Sequence, residues 1–239
     1  MRYTPKLIPA TLIRRYKRFL ADVRLQNGEA ITVHTPNTGR MLGLLEPGSQ
    51  IWLRDSQNPK RKYRYSWVMA SANENTLVGV DTLLANKLVV EGIESGVIAE
   101  LQGYARLKTE VRYGEENSRI DILLENEGEP CYLEVKNVTA ITEPRLRPRQ
   151  AIFPDAVSER GRKHLRELML MKQQGARAII FFCVTREDAE AFRPADEIDP
   201  EYGHTLRQAV VAGVEILAYR ARVSVDEIYL QTPLPVDCV

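Results

Sequence analysis

Two neighbouring segments of the chain place ionisable side chains where they could act together: Asp121 in residues 119–124, and Glu134 with Lys136 in residues 131–138. Both segments have the apolar alternation of β-strands, and the short polar stretch between them predicts a hairpin. In the register that pairs their apolar residues, Asp121 faces Glu134. Two carboxylates roughly 5 Å apart repel each other unless a cation lies between them. Because carboxylate oxygens suit hard cations, the pair predicts a Mg²⁺ or Mn²⁺ site.

A preceding strand extends this arrangement, since residues 106–113 also alternate and end in a short polar turn. In the matching register Glu110 faces Asp121, and Arg112 faces Arg119. The exposed face of the sheet would then carry a row of acids (Glu110, Asp121 and Glu134) beside a row of bases (Arg112, Arg119 and Lys136). A divalent cation on the acids and a phosphate on the bases would satisfy both rows. This is the chemistry of phosphodiester hydrolysis.

The predicted catalytic set is Asp121, Glu134 and Lys136. The two acids are predicted metal ligands, and a lysine beside the metal can position the attacking water or stabilise the charge of the transition state. The alternative is an ordinary solvated sheet face, on which diagonal pairs such as Asp121 with Lys136 form weak salt bridges. Glu110 is a further predicted ligand, and it depends most on the register, because one β-bulge would shift its row.

Helices and strands that alternate along the chain surround this hairpin and predict an α/β domain. Asp81 or Thr82 begins a helix whose stripe of Leu84 and Leu88 ends at Glu91, so that Glu91 is expected to face inward. The remaining predicted elements are a helix over 156–174 that Asp155 caps, a buried parallel strand over 178–184, a helix over 200–212 and a strand over 214–219.

The first 80 residues differ from the rest in both pattern and charge. They contain thirteen Lys and Arg against five Asp and Glu, a net charge of +8, whereas the remainder has twenty against twenty-seven, a net charge of −7. Predicted strands fall at residues 19–25, 29–34, 50–54, 65–70 and 76–80. Five short strands with a basic surface predict an OB-like β-barrel. We therefore divide the chain into a basic barrel, residues 1–80, and an α/β domain with a mixed central sheet, residues 81–239.

The basic residues predict DNA as a partner, because Lys and Arg side chains neutralise phosphates. In the barrel they form two clusters interleaved with aromatic residues: Arg14, Arg15, Lys17 and Arg18, and then Lys60, Arg61, Lys62 and Arg64. In the second domain the predicted DNA contacts are Arg112, Arg119, Arg145, Arg147, Arg149, Arg160 and Lys163. Solvated surface charge is the alternative for any one cluster. The Pro-Asn-Thr-Gly turn within residues 34–39 is explained mostly by its turn chemistry, and its role stays open.

Several classes of protein are excluded by what the sequence lacks. The longest apolar run, residues 178–184, is far shorter than a membrane span, and residues 1–15 lack the apolar core of a signal peptide. Three scattered cysteines and three distant histidines do not form a disulfide framework or a soft-ligand zinc site. We expect a cytoplasmic protein, with association with the nucleoid left open, and with no membrane partner and no small-molecule cofactor.

The sequence resembles two known groups of proteins. Asp121, followed after a twelve-residue gap by Glu134-Val135-Lys136, resembles the D…(D/E)-x-K signature of the PD-(D/E)XK, or restriction-endonuclease-like, nuclease superfamily. More closely, the whole chain resembles the sugar fermentation stimulation protein A (SfsA) family. The stretches that carry this likeness are RYKRFLADV (15–23), HTPNTG (34–39), EVRYG (110–114), SRID (118–121), LEVK (133–136), FPDAV (153–157), ERG (159–161) and KHL (163–165).

The resemblance implies an OB-like first domain, a nuclease-like second domain, non-specific DNA binding and a regulatory role in maltose metabolism. It also implies that Asp121 and Glu134 are metal ligands, that Lys136 is the catalytic lysine and that Glu91, the acid of the first core helix, is a further metal ligand. Ile120 stands where the superfamily pattern has proline. Two functions stay open: a Mg²⁺-dependent nuclease, and a DNA-associated transcriptional regulator that binds without cleaving. The form of nucleic acid, the sequence preference, the oligomeric state and the regulated genes are undetermined.

Overall fold

The computed structural model describes residues 1–72, 76–115, 118–142 and 148–238. Its amino-terminal part consists of β1 (Ile8–Tyr16), β2 (Leu20–Leu25), β3 (Ala30–His34), β4 (Gln50–Asp55), β5 (Tyr65–Ser71) and β6 (Leu77–Gly79). Strands β1 to β5 close into a barrel, because β3 also pairs with β5 through His34 and Ser66. A closed barrel of five strands is the OB-like architecture that the sequence predicts.

The strands that form the barrel differ in one member from those predicted. The sequence predicts no strand over β1, because Pro9 and a register shift between Leu12 and Arg14 obscure its apolar alternation. The strand predicted over residues 76–80 exists as β6, but it pairs with β5 at the outer edge of the sheet. The buried face of β1 is therefore the part of the barrel core that sequence periodicity missed.

The second part of the chain forms a mixed sheet with helices on both faces. Its elements are α1 (Ala85–Glu94), β7 (Arg106–Tyr113), β8 (Ser118–Glu125), β9 (Cys131–Val138), β10 (Ala140–Ile141), β11 (Gln150–Phe153), α2 (Glu159–Gln173), β12 (Arg177–Val184), β13 (Ala191–Pro194), α3 (Pro200–Val211), β14 (Glu215–Val223) and β15 (Ile228–Pro233). The main sheet has the order β15-β14-β12-β9-β8-β7, and β10, β11 and β13 form a small second sheet. As predicted, the apolar strand β12 is buried and runs parallel to both of its neighbours, β9 and β14.

Strands β10, β11, β13 and β15 were not predicted. They span two to six residues each, which is too short for a period to be recognised along the chain. Strand β11 pairs with β13, which follows α2 and β12 in the chain, so tertiary contacts decide whether these two strands form. No helix in the described parts of the chain is long and apolar enough to cross a bilayer.

Helix α2 begins later than predicted. Ser158 caps it, since its Oγ accepts a hydrogen bond from the backbone N–H of Gly161 at 3.1 Å. Asp155, the predicted cap, instead accepts a hydrogen bond from the backbone N–H of Met41 in the barrel at 2.9 Å. Gly161 lies against the ring of Tyr202, where a Cβ atom would be 2.9 Å from a ring carbon. This close packing explains a glycine inside a helix.

Both faces of the sheet are buried, so the prediction that the apolar residues of β8 and β9 share one face is wrong. Ile122 and Leu124 pack in the core beneath α1, whereas Ile120 and Leu123 pack in the core beneath α2 and α3. The alternation of faces therefore reverses in β8 beside Asp121. Because of this reversal, the carboxylate of Asp121 lies in neither apolar core.

The alternation of side chains between the two faces of the sheet also reverses in β7, at the level of Asp121. Leu107 packs in the α1 core and Val111 in the α2 core, and Glu110 between them has a φ of +56°, a left-handed conformation that is uncommon outside glycine. The pairing of β7 with β8 is still the predicted one, with Arg112 opposite Arg119. Both reversals fall at the level of the predicted acidic row.

The barrel packs directly on the second domain. The hydroxyl of Thr185 donates to the carbonyl of Gly79 at 2.7 Å, and Arg54 forms an ion pair with Asp81 at 2.7 Å. Met69 of the barrel is buried in the same core as α1. These contacts place the barrel loops beside the carboxylates of the central sheet.

Candidate active site

A cleft of about 850 Å³ lies between the barrel and the central sheet. Its walls come from the loop after β3, from α1, from β7, β8 and β9 and from the start of α2. The polar residues that line it include Asn37, Thr38, Asn86, Glu110, Arg112, Arg119, Asp121, Glu134, Lys136, Asn137, Asp155, Arg160, Lys163 and His164. The structure thus brings the three residues of the predicted catalytic set into one cleft.

The hairpin of β8 and β9 has the predicted register, with Ile122 opposite Leu133. Beyond this pair, a hydrogen bond from the backbone to a side chain replaces the backbone pairing of the two strands. Oδ2 of Asp121 accepts a hydrogen bond from the backbone N–H of Val135 at 2.7 Å. The carboxylate of Asp121 is thereby fixed beside Glu134.

Asp121 is partly buried and held from two sides. Its Oδ1 accepts a hydrogen bond from Nδ2 of Asn86 in α1 at 2.8 Å. Burial and the neighbouring charge of Glu134 raise the pKa of Asp121 to about 6, although Lys136 and the two hydrogen bonds oppose the shift. The group is therefore poised to exchange a proton for a cation near neutral pH.

Glu134 is 2% exposed and shares one oxygen between two partners. Its Oε1 accepts a hydrogen bond from Nζ of Lys136 at 2.6 Å and contacts Nδ1 of His164. Burial alone would raise the pKa of Glu134, but the charge of Lys136 and the contact with His164 outweigh burial and hold the pKa below its usual range. Lys136 pairs with Glu134 on its own strand rather than diagonally with Asp121.

The two carboxylates fit a hard cation. Oε2 of Glu134 is buried and has no hydrogen-bond partner among the described residues, and an orphaned buried oxygen of this kind is destabilising unless a cation or a donor satisfies it. Within the same residues, no group of three His, Cys, Asp and Glu side chains forms a complete metal site. The protein would supply Asp121 and Glu134, and Mg²⁺ commonly uses one or two carboxylates with water and phosphate oxygens.

The predicted ligand Glu91 lies away from the cleft. Its carboxylate accepts a hydrogen bond from the amino group of Met1 at 2.9 Å, and its side chain is 47% exposed. Asn86 is the α1 residue that reaches Asp121. Five positions along an α-helix turn a side chain through roughly 140°, so Glu91 cannot share the face of Asn86. The prediction for Glu91 is wrong for this reason.

Two arginines face each other at the mouth of the cleft. Arg112 lies opposite Arg119 in the ladder of β7 and β8, and both side chains are exposed. Neither forms an ion pair or a hydrogen bond with a residue that the structure describes. Like charges directly opposite each other are unfavourable, so this pair favours an anion as its partner. Glu110 lines the same cleft with an exposed side chain.

The first turns of α2 complete the polar lining. Arg160, Lys163 and His164 line the cleft, and Nε of Arg160 lies 3.4 Å from Nε2 of His164. Free backbone N–H groups at a helix amino terminus favour anions, as do the two basic side chains. Sequence reasoning treated His164 as part of a polar face, and its spacing of four residues from Arg160 was the available signal that it shares the face of the predicted DNA contacts.

The barrel loop, residues 35–41, forms the opposite wall. Nη2 of Arg15 donates to the carbonyl of Asn37 at 2.8 Å, and Nε of Arg18 donates to the carbonyl of Thr38 at 2.9 Å. Two arginines of the first basic cluster therefore hold this loop in place. The turn within residues 34–39, whose role the sequence left open, therefore forms part of the wall of the cleft.

Other members of the two basic clusters are also paired within the protein. Arg14 forms an ion pair with Asp22 at 2.8 Å, and Arg64 forms one with Asp55 at 2.6 Å. The exposed lysines of the clusters are Lys17, Lys60 and Lys62. Arg61 donates to the hydroxyl of Ser66 at 3.5 Å. Of the eight predicted DNA contacts in the barrel, the three lysines are thus the best placed to meet phosphates.

The last predicted group of DNA contacts is only partly described. Arg145 and Arg147 lie outside the described residues. The backbone N–H of Arg149 donates to the carboxylate of Glu190 at 2.9 Å, and its Nη1 is 3.6 Å from Oδ2 of Asp188. Arg149 is therefore held by acids of its own domain.

The fold and the cleft define a class of protein: an OB barrel joined to a restriction-endonuclease-like domain. Two family models match the chain, one described as "Sugar fermentation stimulation protein RE domain" over residues 83–227 and one as "SfsA N-terminal OB domain" over residues 13–80. The chain belongs to the sugar fermentation stimulation protein (SfsA) family.

Similar proteins span its whole length. Relatives named "Sugar fermentation stimulation protein homolog" are 54% identical over 237 residues in Thioalkalivibrio sulfidiphilus (99% of this chain, 98% of the relative) and 54% identical over 236 residues in Geobacter metallireducens (99% of each). A solved structure, described as Pyrococcus furiosus SfsA in complex with Ca²⁺, is 30% identical, covers 99% of this chain and 98% of its own, and superposes with a TM-score of 0.87.

Proposed function

We propose that this protein is a divalent-metal-dependent nuclease that acts on DNA, with Asp121 and Glu134 as metal ligands and Lys136 as the catalytic lysine. The observation that carries the proposal is the buried Oε2 of Glu134, which has no hydrogen-bond partner among the described residues, beside a second, partly buried acid whose pKa is raised. Two such acids side by side destabilise the fold unless a cation compensates them. The Ca²⁺ complex described for the Pyrococcus furiosus relative supports a cation in this family.

The proposed cofactor is Mg²⁺ or Mn²⁺, held by Asp121 and Glu134 with the carbonyl of Val135 as a further oxygen ligand. Such an ion would neutralise charge on a phosphate and lower the pKa of a bound water. Asn86 orients Asp121 through its 2.8 Å hydrogen bond, which keeps one carboxylate oxygen in a defined direction.

The other residues of the cleft supply binding and charge stabilisation. Lys136 can donate from Nζ to an attacking water, which it would position, or to a phosphate oxygen, which gains negative charge in the transition state. Arg112 and Arg119 have no anionic partner within the described ranges and would bind the phosphates that flank the reacting one. Arg160, at the start of α2, would bind a phosphate on the side of the cleft opposite Arg112 and Arg119.

A binding-only regulator is the second candidate, and one observation favours it. Lys136 and His164 already satisfy Oε1 of Glu134 without a cation. A site compensated in this way could bind the DNA backbone through its arginines and never hydrolyse it. The family name, which refers to sugar fermentation rather than to DNA cleavage, is compatible with this function.

Incubation with DNA separates the two candidates. Linear, nicked and single-stranded DNA are incubated with the protein in Mg²⁺ or Mn²⁺, and the same reactions are run in EDTA and with Asp121→Ala. We expect products from the wild-type protein with metal and none in EDTA or with the variant. Equal behaviour of the wild-type and variant proteins on every substrate would remove the nuclease function and leave DNA binding.

The dependence of DNA affinity on salt should map the basic surface. Replacing Lys17, Lys60 and Lys62 together by glutamine is expected to flatten the slope of log affinity against log salt by about 0.9 per lost contact on duplex, or about 0.7 on single strands. The loss should be similar for all DNA sequences, because phosphate contacts carry no sequence information.

Lys172→Gln, in the last turn of α2, is the control for that measurement, because it removes one positive charge outside both the barrel and the cleft lining. An unchanged slope in the triple variant would show that the barrel is not the main electrostatic contact. Fluorescence anisotropy over a series of salt concentrations provides the slopes.

A further inference from the structure

We propose that the cleft takes one strand of DNA, held between the barrel loop and the second domain, and does not take an intact duplex. The inference rests on the proposed nuclease function and names the form of its substrate. Three independent observations lead to it: a fixed second wall, the size of the cleft and an exposed aromatic side chain beside the wall.

The barrel loop is held in place by hydrogen bonds from both domains. Asp155 of the second domain accepts a hydrogen bond from the backbone N–H of Met41 at 2.9 Å. Gly39 approaches the same carboxylate so closely that a Cβ atom there would lie 2.5 Å from Oδ2 of Asp155. Arg15 and Arg18 hold the loop from the barrel side. To move this wall away from the acids, several hydrogen bonds in two domains must break.

The size of the cleft suits one strand. One base pair of duplex DNA, treated as a disc roughly 20 Å across with a rise of roughly 3.4 Å, occupies roughly 1,000 Å³. The cleft of about 850 Å³ is smaller than this, so its walls cannot enclose even one whole base pair. One to three nucleotides of a single strand are of the right size.

An aromatic side chain stands where an unpaired base could stack. Phe19 is 44% exposed in the turn between β1 and β2. Its carbonyl accepts a hydrogen bond from the backbone N–H of Thr35 at 2.9 Å, and its neighbour Arg18 holds the carbonyl of Thr38. Bases stack on exposed aromatic rings only when they are unpaired, and such stacking is tolerant of sequence.

The polar residues on the two sides of the cleft fit the phosphate backbone of the same DNA strand. Arg112 and Arg119 face each other at the mouth without a described protein anion, and Thr38 is exposed on the opposite wall. A strand in the cleft would lead its phosphates past the two arginines towards Glu134, and Phe19 stands outside the cleft lining, next to Arg18, which holds the wall. Neither contact by itself distinguishes one strand from two, but the stacking contact requires an unpaired base.

Binding of two labelled probes tests the inference without depending on cleavage. A fluorescein-labelled oligothymidine of about ten nucleotides and a duplex of about ten base pairs closed by a loop at each end are titrated with the full-length protein in Ca²⁺ and in EDTA. We expect the single strand to bind at least about 10-fold tighter than the closed duplex, and Phe19→Ala to weaken the single strand by about 10-fold without changing the duplex.

Three further variants make the result specific. Phe19→Trp preserves an aromatic face and should retain single-strand affinity. Asp155→Ala should reduce the preference for the single strand, because it releases Met41, whereas Asp155→Asn keeps an acceptor and should preserve it. Val211→Ala, at a valine that is 91% exposed on α3, is the control for loss of an exposed apolar group.

Each outcome has one meaning. Equal or tighter binding of the closed duplex, or an equal loss on both probes in Phe19→Ala, overturns the inference. Tighter binding of an oligouridine of the same length also overturns it and assigns the strand to RNA. Metal-dependent cleavage of the closed duplex at the rate of the single strand retains the nuclease function and rejects the single-strand cleft. Single-strand preference without any cleavage rejects the nuclease function alone.

Discussion

Replacement of Lys136 by methionine is expected to lower the rate of metal-dependent DNA hydrolysis by about 100- to 1,000-fold, the usual effect of removing one group that stabilises transition-state charge. Nζ of Lys136 is 2.6 Å from Oε1 of Glu134 and 3.2 Å from Nδ1 of His164. Methionine has a similar length and no charge, so it removes the donor while it keeps most of the packing. Because Asp121 and Glu134 remain, Mn²⁺ binding measured by calorimetry should persist.

The test compares the turnover rate with metal affinity and thermal unfolding in the same preparations. Lys136→Arg keeps the charge with a different geometry and should recover only part of the rate. Lys108→Met is the matched control, because Lys108 is a half-exposed lysine on β7 paired with Glu125 outside the cleft. A folded, metal-binding Lys136→Met protein with the wild-type rate would show that the lysine has no catalytic role.

Asp121→Asn is expected to stabilise the metal-free protein at pH 7.5 by about 2 to 3 kcal/mol. The pKa of Asp121 rises from 3.8 to about 6 on folding, and each pKa unit corresponds to about 1.4 kcal/mol. At pH 7.5 the folded wild-type protein must keep this acid ionised next to Glu134, whereas asparagine removes the repulsion. Its Oδ1 can still accept from Val135, provided that the amide of Asn86 turns its oxygen towards the new NH₂ group.

The sign of the pH dependence follows from the raised pKa. The stability that protonated Asp121 confers is complete below about pH 4 and is lost as the pH rises through about 6. The advantage of the asparagine variant should therefore be absent near pH 4, grow between pH 4 and 6, and stay constant above that range. Urea unfolding in EDTA at several pH values measures it.

Metal should reverse the order of stability. Mn²⁺ at one hundred times its dissociation constant would stabilise the wild-type protein by about 2.7 kcal/mol and should leave Asp121→Asn nearly unchanged. Asp22→Asn is the contrasting control: although burial opposes it, hydrogen bonds from Arg14, Thr32 and Tyr16 lower the pKa of Asp22, so its loss should destabilise the protein at pH 7.5. Equal stability of Asp121→Asn and wild type at pH 7.5 would contradict the buried, repelled carboxylate.

The amino-acid sequence by itself determined the parts that depend on short-range pattern. The apolar run of β12 predicted a buried parallel strand, and the alternation of β7, β8 and β9 predicted their register. This register placed Asp121 beside Glu134 on β9. Lys136 follows Glu134 two residues later on the same strand. Periods of two and 3.6 residues are properties of a few consecutive positions, so they can be recognised without tertiary structure.

Only the tertiary structure decided which distant side chains meet at the site. Asn86 rather than Glu91 reaches Asp121, because the start of α1 sets which helix face points at the sheet. His164 reaches Glu134 across thirty residues, and the barrel loop reaches Asp155 across more than a hundred. The packing of whole elements fixes such contacts, and no local period encodes them. The same is true of Arg15 and Arg18 in the first basic cluster, whose partners are carbonyls of a neighbouring loop.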